Sequence, residues 1–307
     1  MIGIEQVGVY LPKNRISNYD RKEQFSIDNN FIEDKIGFIS LAVKDVKEET
    51  SDLCVKAYEN LIDKVLIDKA QIEAIIVVTQ NPDFNIPHTS AIVHGKLSMP
   101  PSCATFDISL GCSGFVYALS TLEGFMLRNN MSKALLFTAD PYSKIISPND
   151  KNTAMLFGDG AAVTLVSNNP RYASGKYTFG TLGEQHQHLI CKKGLLSMNG
   201  RAIFDFAARS VPKDIRKLLE LNGLNIENID VFLMHQGSKF IIDTVAKRLR
   251  LPEVKLPFLA SEYGNTVSAT IPILLEKYFN DEKYQTIGIT GFGVGLSWSS
   301  TVLSRIK

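Results

Sequence analysis

Cys112 stands in Phe106–Leu119 (FDISLGCSGFVYAL), where a strand-like FDISL meets Gly111-Cys112-Ser113-Gly114 and then an amphipathic helix pattern. Small residues on both sides allow a sharp turn and close approach by a substrate. Unpaired N–H groups and the dipole at a helix start favour a thiolate, so the setting predicts a depressed pKa and a nucleophile near neutral pH. On the elbow alone, a nucleophile and a small buried hydrophobe fit equally well. Cys54, within an amphipathic helix, reads as a buried hydrophobe, and so do Cys103 and Cys191. His235 ends the apolar run VFLM, and a strand end entering a loop is where open α/β sheets place their ligands. His88, His94, His186 and His188 lack such a setting and read as loop or surface residues. Asn265, in Glu262–Thr270 (EYGNTVSAT), is either a β-turn asparagine or a polar group held beside a run of small residues entering a helix.

Two glycine clusters could shape such a site. Phe157–Ala162 (FGDGAA) precedes a strand and is by itself a turn signal. Gly291–Gly295 (GFGVG) follows the strand TIGIT and precedes LSWSSTVL. It lacks a following GK[ST] and does not open a helix, so nucleotide phosphate binding is not supported. A glycine loop after a strand can instead offer backbone N–H groups to an oxyanion.

The elements that must hold these residues are strand-like apolar runs alternating with amphipathic helices. Ile72–Thr79, Ala134–Thr138, Val231–Met234 and Thr286–Thr290 read as buried strands. Leu53–Val65, Val116–Leu127, Pro212–Leu221, Phe240–Leu249 and Ile271–Tyr278 read as helices. Continuous apolar runs suit strands covered on both faces, hence an α/β architecture. The stretch Asn60–Thr79 also resembles Lys217–Gln236, each a helix and turn opening into a strand with a polar tip. Any α/β protein repeats such units, so this pair alone leaves duplication and coincidence level.

Basic and acidic side chains number 33 and 32, which gives no reason to expect nucleic acid or an anionic membrane as partner. No apolar run approaches the ~18 residues of a membrane span. The N-terminus lacks a basic region followed by a long apolar core, so no secretory signal is expected. Scattered cysteines without C-x-x-C spacing predict reduced thiols in a cytoplasm and no structural metal site.

Taken in order, the elbow cysteine, FGDGAA, strand-His-Gln, GNT and a terminal FGxG resemble the β-ketoacyl-acyl-carrier-protein synthase III family of condensing enzymes. The likeness runs from Gly8-Val9-Tyr10-Leu11-Pro12 to Trp298. The elongating synthases carry a Cys-His-His arrangement and biosynthetic thiolases a second catalytic cysteine; Cys112, His235 and Asn265 match the initiating type. The resemblance implies a thiolase-like five-layered αβαβα fold of two similar halves, residues 1–166 with the nucleophile and 167–307 with His235 and Asn265. It implies a homodimer that needs no cofactor and takes a CoA thioester as substrate. Cys112 would accept an acyl group from acyl-CoA, with the backbone N–H groups of Cys112 and Val294 as oxyanion donors. His235 and Asn265 would hold the thioester carbonyl of malonyl-acyl carrier protein while carbon dioxide leaves, giving a β-ketoacyl product that initiates fatty acid synthesis.

The same resemblance implies CoA contacts at Phe31, Lys35 and Lys151, an acyl pocket at Phe157 and Ile86, and carrier-protein docking at Lys239, Lys247, Arg248 and Arg250. Several of these depart from the family pattern. Phe31 and Lys151 stand where a tryptophan and an arginine clamp adenine, and lysine lacks the planar guanidinium. Ile86, usually phenylalanine, faces the acyl pocket of the second chain; Val294 stands where glycine is usual, and Phe240 replaces an arginine. An alternative reading puts the same three residues on a different donor or acceptor in a secondary-metabolite or surface-polysaccharide pathway. A non-catalytic partner subunit or a Cys-His hydrolase fits the complete set less well.

Overall fold

The computed structural model describes residues 1–306. Five strands of the first half, β1 (Gly3–Tyr10), β4 (Ala74–Val78), β5 (Ala104–Ile108), β6 (Lys133–Ala139) and β7 (Ala161–Ser167), lie side by side in the order β1-β7-β6-β4-β5. Between β1 and β4 a small ribbon forms from β2 (Asn14–Ser17) and β3 (Ser40–Val43). In the second half, β8 (Tyr172–Ser174), β9 (Thr178–Thr181), β12 (Val231–Met234), β13 (Thr286–Gly293) and β14 (Ser297–Arg305) build the matching sheet, and β10 (Leu189–Lys192) pairs with β11 (Leu195–Met198) as a separate hairpin. The two half-sheets are not separate: β8 pairs with β14 on one side and with Gly3 and Ile4 of β1 on the other.

Helices α1 (Lys22–Phe25), α2 (Thr50–Ile62), α3 (Thr89–Lys96), α4 (Gly114–Asn129), α5 (Lys151–Ala154), α6 (Gly200–Asn222), α7 (Lys239–Leu249) and α8 (Thr270–Phe279) complete the chain. Side-chain alternation along the strands places the longer ones in layers. Ala74, Ile76 and Val78 of β4 pack on Phe115, Val116 and Leu119 of α4, in one core with Leu274 of α8 and Val231 and Leu233 of β12. The intervening Ile75 and Val77 share a second core with Leu53, Ala57 and Leu61 of α2. On the far side, Phe232 and Met234 of β12 join α6 and α7 in a third. Helices outside, a half-sheet, α4 and α8 in the middle, a half-sheet and helices outside again make the five layers that the resemblance implied. Strands buried on both faces account for the continuous apolar runs.

The repeated stretch occupies equivalent places. The 3₁₀ turn Lys69–Gln71 leads from α2 into β4, and Ile226–Asn228 leads from α6 into β12. One helix differs from expectation. Rather than starting at Pro212, α6 begins at Gly200, where Asn199 caps it by accepting the Ala202 N–H at 3.1 Å, and Pro212 lies buried inside. Proline reads in sequence as a helix start; here the amphipathic turns before it override the one lost hydrogen bond.

Candidate active site

Cys112 sits one residue before Ser113, the N-cap of α4, in a turn closed by Gly114 N–H to Gly111 C=O at 2.8 Å. The last residues of β13 press against this turn. A Cβ on Gly293 would lie 2.7 Å from both Cβ and Sγ of Cys112, and one on Gly291 would lie 2.7 Å from the Cys112 carbonyl. Glycine is required there by close approach. Gly293→Ala should cost about 1–3 kcal/mol by overpacking and displace Cys112, read as a lower melting temperature together with slower alkylation of the thiol.

The expected glycine loop is shorter than it looked, because β13 continues through Gly293 and only Val294-Gly295-Leu296 turns into β14. Ser297 Oγ donates to the Val294 carbonyl at 2.9 Å, and Ser113 Oγ lies 2.8 Å from Ser297 Oγ, so two serines fasten this turn to the elbow. The backbone N–H groups of Val294 and Cys112 both reach the Cys112 sulfur.

The charge state of Cys112 corrects the sequence reading. Burial pushes the thiol up to about 12, the Asp140 carboxylate adds to the rise, and the two backbone N–H groups only partly oppose it. Cys112 is 4% exposed, and desolvation of a thiolate outweighs the favourable helix start. The resting side chain is a thiol. A second correction concerns Cys191, which is exposed on β10 rather than buried, whereas Cys54 and Cys103 are buried as expected.

His235 follows β12 directly. Its N–H donates to Thr290 of β13 at 2.9 Å, and the edge of its ring meets Phe292 with centroids 5.6 Å apart. Gln236 staples the strand end to the next loop, donating to Met234 and Pro257 and accepting from Leu259 N–H at 2.8 Å. Burial holds the imidazole at about 3, well below its usual range, so the ring is neutral at physiological pH. Between that value and 6.5 the unfolded chain binds a proton that the native chain does not, so this contribution to stability is lost as pH falls through the window. His235→Gln should therefore lose less stability than the parent between pH 6.5 and 4, read as urea midpoints against pH. Asp140, held up at about 6 by burial, works with the opposite sign, disfavouring the fold as pH rises from 3.8.

Asn265 is clamped by the FGDG turn. Its N–H donates to Leu156 at 2.8 Å and its carbonyl accepts from Gly158 at 3.0 Å, a parallel bridge that leaves no room for a side chain on Gly158, where a Cβ would meet the Tyr263 oxygen at 1.8 Å. The amide orientation is fixed because Oδ1 accepts the Val267 N–H at 2.9 Å. Nδ2 then faces His235 Nε2 at 3.3 Å. Val267 holds φ at +54°, a strained value for a β-branched residue, and its N–H is the one that aims Asn265. Two nitrogens lie side by side, each able to donate to one acceptor placed before them. Phe292 and Gly293, consecutive in β13, touch His235 and Cys112 respectively, which brings the three residues to one place.

The outlying candidates fall into three places. Lys151 Nζ lies 5.1 Å over the Phe31 ring and donates to the Phe25 carbonyl at 3.0 Å. Lys35 is exposed on the same short helical segment as Phe31, with no hydrogen bond or ion pair to either among the described residues. Phe157 joins the core that holds Cys112, packed on Tyr142 at 4.9 Å between ring centroids, whereas Ile86 is 88% exposed and packs on nothing near Cys112 in its own chain. Lys247, Arg248 and Arg250 are exposed along and after α7, and Lys239 pairs with Asp243 at 2.9 Å. Arg216 of α6 joins this basic face by donating to the Arg248 carbonyl at 3.0 Å, a residue that sequence reading missed. Tyr142, Gln80, Asp140 and Ser268 near the site were missed too; no motif or spacing marks them.

Profiles of 3-oxoacyl-[acyl-carrier-protein (ACP)] synthase III match residues 106–183 and, for its C-terminal part, residues 219–305. The beta-ketoacyl-[acyl-carrier-protein] synthase III of Streptococcus sanguinis (strain SK36) is 36% identical, with 98% of each chain covered. That of Lactococcus lactis subsp. cremoris (strain MG1363) is 34% identical, again over 98% of both. The crystal structure of the corresponding synthase III from Thermus thermophilus superposes with a TM-score of 0.92 at 30% identity, covering 99% of both chains. Full-length likeness to these relatives, joined to the arrangement of Cys112, His235 and Asn265, establishes that the chain belongs to the 3-oxoacyl-acyl-carrier-protein synthase III family.

Proposed function

We propose that this chain is a condensing acyltransferase that starts fatty acid synthesis by joining an acyl group to malonyl-acyl carrier protein with loss of carbon dioxide. The observation that carries the reading is the aimed pair of donors, Asn265 Nδ2 and His235 Nε2 at 3.3 Å, set beside a buried thiol flanked by two backbone N–H groups.

Acylation begins with a neutral thiol. Cys112 Sγ bonds to the acyl carbon, the bond from that carbon to the CoA sulfur breaks, and the cysteine proton leaves on the CoA thiol. Cys112 and Val294 N–H groups hold the carbonyl oxygen as it becomes anionic. In the second half-reaction the malonyl thioester oxygen takes hydrogen bonds from Asn265 Nδ2 and from His235 with its proton on Nε2. Carbon dioxide departs and leaves an enolate. Its carbon bonds to the acyl carbon, the bond to Cys112 sulfur breaks, and the departing thiolate takes a proton from water, the one proton the net reaction consumes. A histidine held neutral suits this role, because it donates without carrying a charge into an apolar chamber. The reaction needs no resident cofactor, since the thioesters and the lost carboxylate supply the driving force.

Phe31 and Lys151 are proposed to meet the CoA donor, with Lys35 nearby, and Phe157 to line the acyl chamber. Lys247, Arg248 and Arg250, with Lys239, are proposed to receive the acidic carrier protein. Charge reversal of Arg248 and Arg250 together should raise KM for malonyl-acyl carrier protein about tenfold or more by weakening steering. It should leave acylation by acyl-CoA unchanged, so the two half-reactions measured separately test the assignment. The chain is also proposed to act in the cytoplasm as a homodimer. The homodimer is supported by β5, which ends the sheet with no strand on its outer side among the described residues, and by Ile86, exposed just before His88 and Thr89, which hydrogen-bond to Thr105 and Asp107 of β5. Reconstitution with acyl-CoA and malonyl-acyl carrier protein tests the whole reading: it predicts β-ketoacyl-acyl carrier protein and carbon dioxide in equal amounts, and free fatty acid instead would make the chain a thioesterase.

A further inference from the structure

Asp140 directly follows β6 with no exposed surface, and its carboxylate is shared between two segments far apart in sequence. Oδ1 accepts the Gln80 N–H at 2.6 Å, and Oδ2 accepts the Ser268 hydroxyl at 2.6 Å. Each partner leads to the reactive residues. Gln80 Oε1 accepts from Tyr142 at 2.9 Å and backs directly onto Gly111, where an added Cβ would meet it at 2.6 Å. Gly111 immediately precedes Cys112. Ser268 follows Val267, whose N–H aims the Asn265 amide. One carboxylate thus spans the wall behind the nucleophile and the turn that carries Asn265.

Among the described residues no lysine or arginine pairs with it. The titratable groups that feel its charge are Cys112, Tyr142 from the segment after β6 and Cys54 from α2. A buried carboxylate with two short hydrogen bonds and no counter-ion is costly to keep, and its charge opposes ionisation of Cys112.

We propose that Asp140 is a positioning residue of the condensation: through Gln80 and Ser268 it fixes the spacing between the Cys112 elbow and the Asn265 amide. Its charge adds to the burial that keeps Cys112 a thiol. The proposal rests on the functional reading above and names no group that touches substrate. Because Asp140 itself protonates near pH 6, the charge is present at neutral pH and fades below that value.

Asp140→Asn keeps the shape and removes the charge, its oxygen still accepting the Gln80 N–H and its Nδ2 donating to the Ser268 hydroxyl in place of accepting from it. Ser268→Ala removes only the tie to the Asn265 turn. The pH profile of Cys112 alkylation by iodoacetamide should shift down by about one unit in Asp140→Asn, roughly a tenfold faster reaction at pH 7. Ser268→Ala should leave that profile unmoved while kcat for condensation falls on the order of tenfold and KM for acyl-CoA stays constant. An Asp140→Asn profile that superimposes on the parent overturns the proposal, as does a Ser268→Ala enzyme that condenses at the parent rate. Should Asp140→Asn not fold, Ser268→Ala still decides the positioning role. Alkylation needs no condensation activity, so a parent that fails to condense would remove the functional reading and leave the alkylation comparison standing.

Discussion

Cys112→Ala is expected to form no acyl adduct with any acyl-CoA and to produce no β-ketoacyl product. The loss of condensation should be complete within detection, since Cys112 is the cysteine that the end of β13 places with His235 and Asn265. Cys54 is wholly buried within α2, where its thiol is held well above its ordinary value, and Cys191 lies exposed on a hairpin. The variant should stay folded, because removing one sulfur from the turn leaves the Gly293 contact looser rather than tighter. A variant freed of the covalent step keeps the two donors of the second half-reaction. It should therefore still release carbon dioxide from malonyl-acyl carrier protein at a slow uncoupled rate.

The second large effect separates the half-reactions the other way. His235→Ala or Asn265→Ala should each lower condensation by about 10²–10³, the usual loss for one donor to a developing oxyanion. Acylation of Cys112 should proceed near the parent rate, because its oxyanion is held by the Cys112 and Val294 amides. The two substitutions should not be additive, since either one breaks the pair that meets at 3.3 Å. Burst measurement of acyl-enzyme followed by steady-state product formation checks both halves in one preparation.

How much of this was legible before the fold is uneven, and the reasons are physical. Cys112, His235 and Asn265 each stand beside glycine or at a strand end, and such local punctuation is visible in sequence. The α/β architecture was legible because the buried strands are apolar on both faces, whereas the five layers came only with the family resemblance. What stayed hidden depends on distance in the chain. Asp140 is an ordinary strand-end aspartate until β4 brings Gln80 and the α8 approach brings Ser268. Tyr142 is likewise an unremarked loop tyrosine until it packs on Phe157. The protonation of Cys112 was read with the wrong sign because a sequence shows the helix start and not the depth of burial. Cys191 erred the other way, since a hairpin turned an apolar-looking stretch outward.

The measurement that tests the central claim most directly is intact-mass analysis of a single turnover. Enzyme incubated with acetyl-CoA should gain one acetyl group, mapped by peptide analysis to Cys112. Malonyl-acyl carrier protein added next should discharge it, with acetoacetyl-acyl carrier protein appearing in equal amount. An adduct that malonyl-acyl carrier protein leaves in place, or one that is discharged as free acetate, would contradict the account of Cys112 as the acyl-holding residue of a condensation.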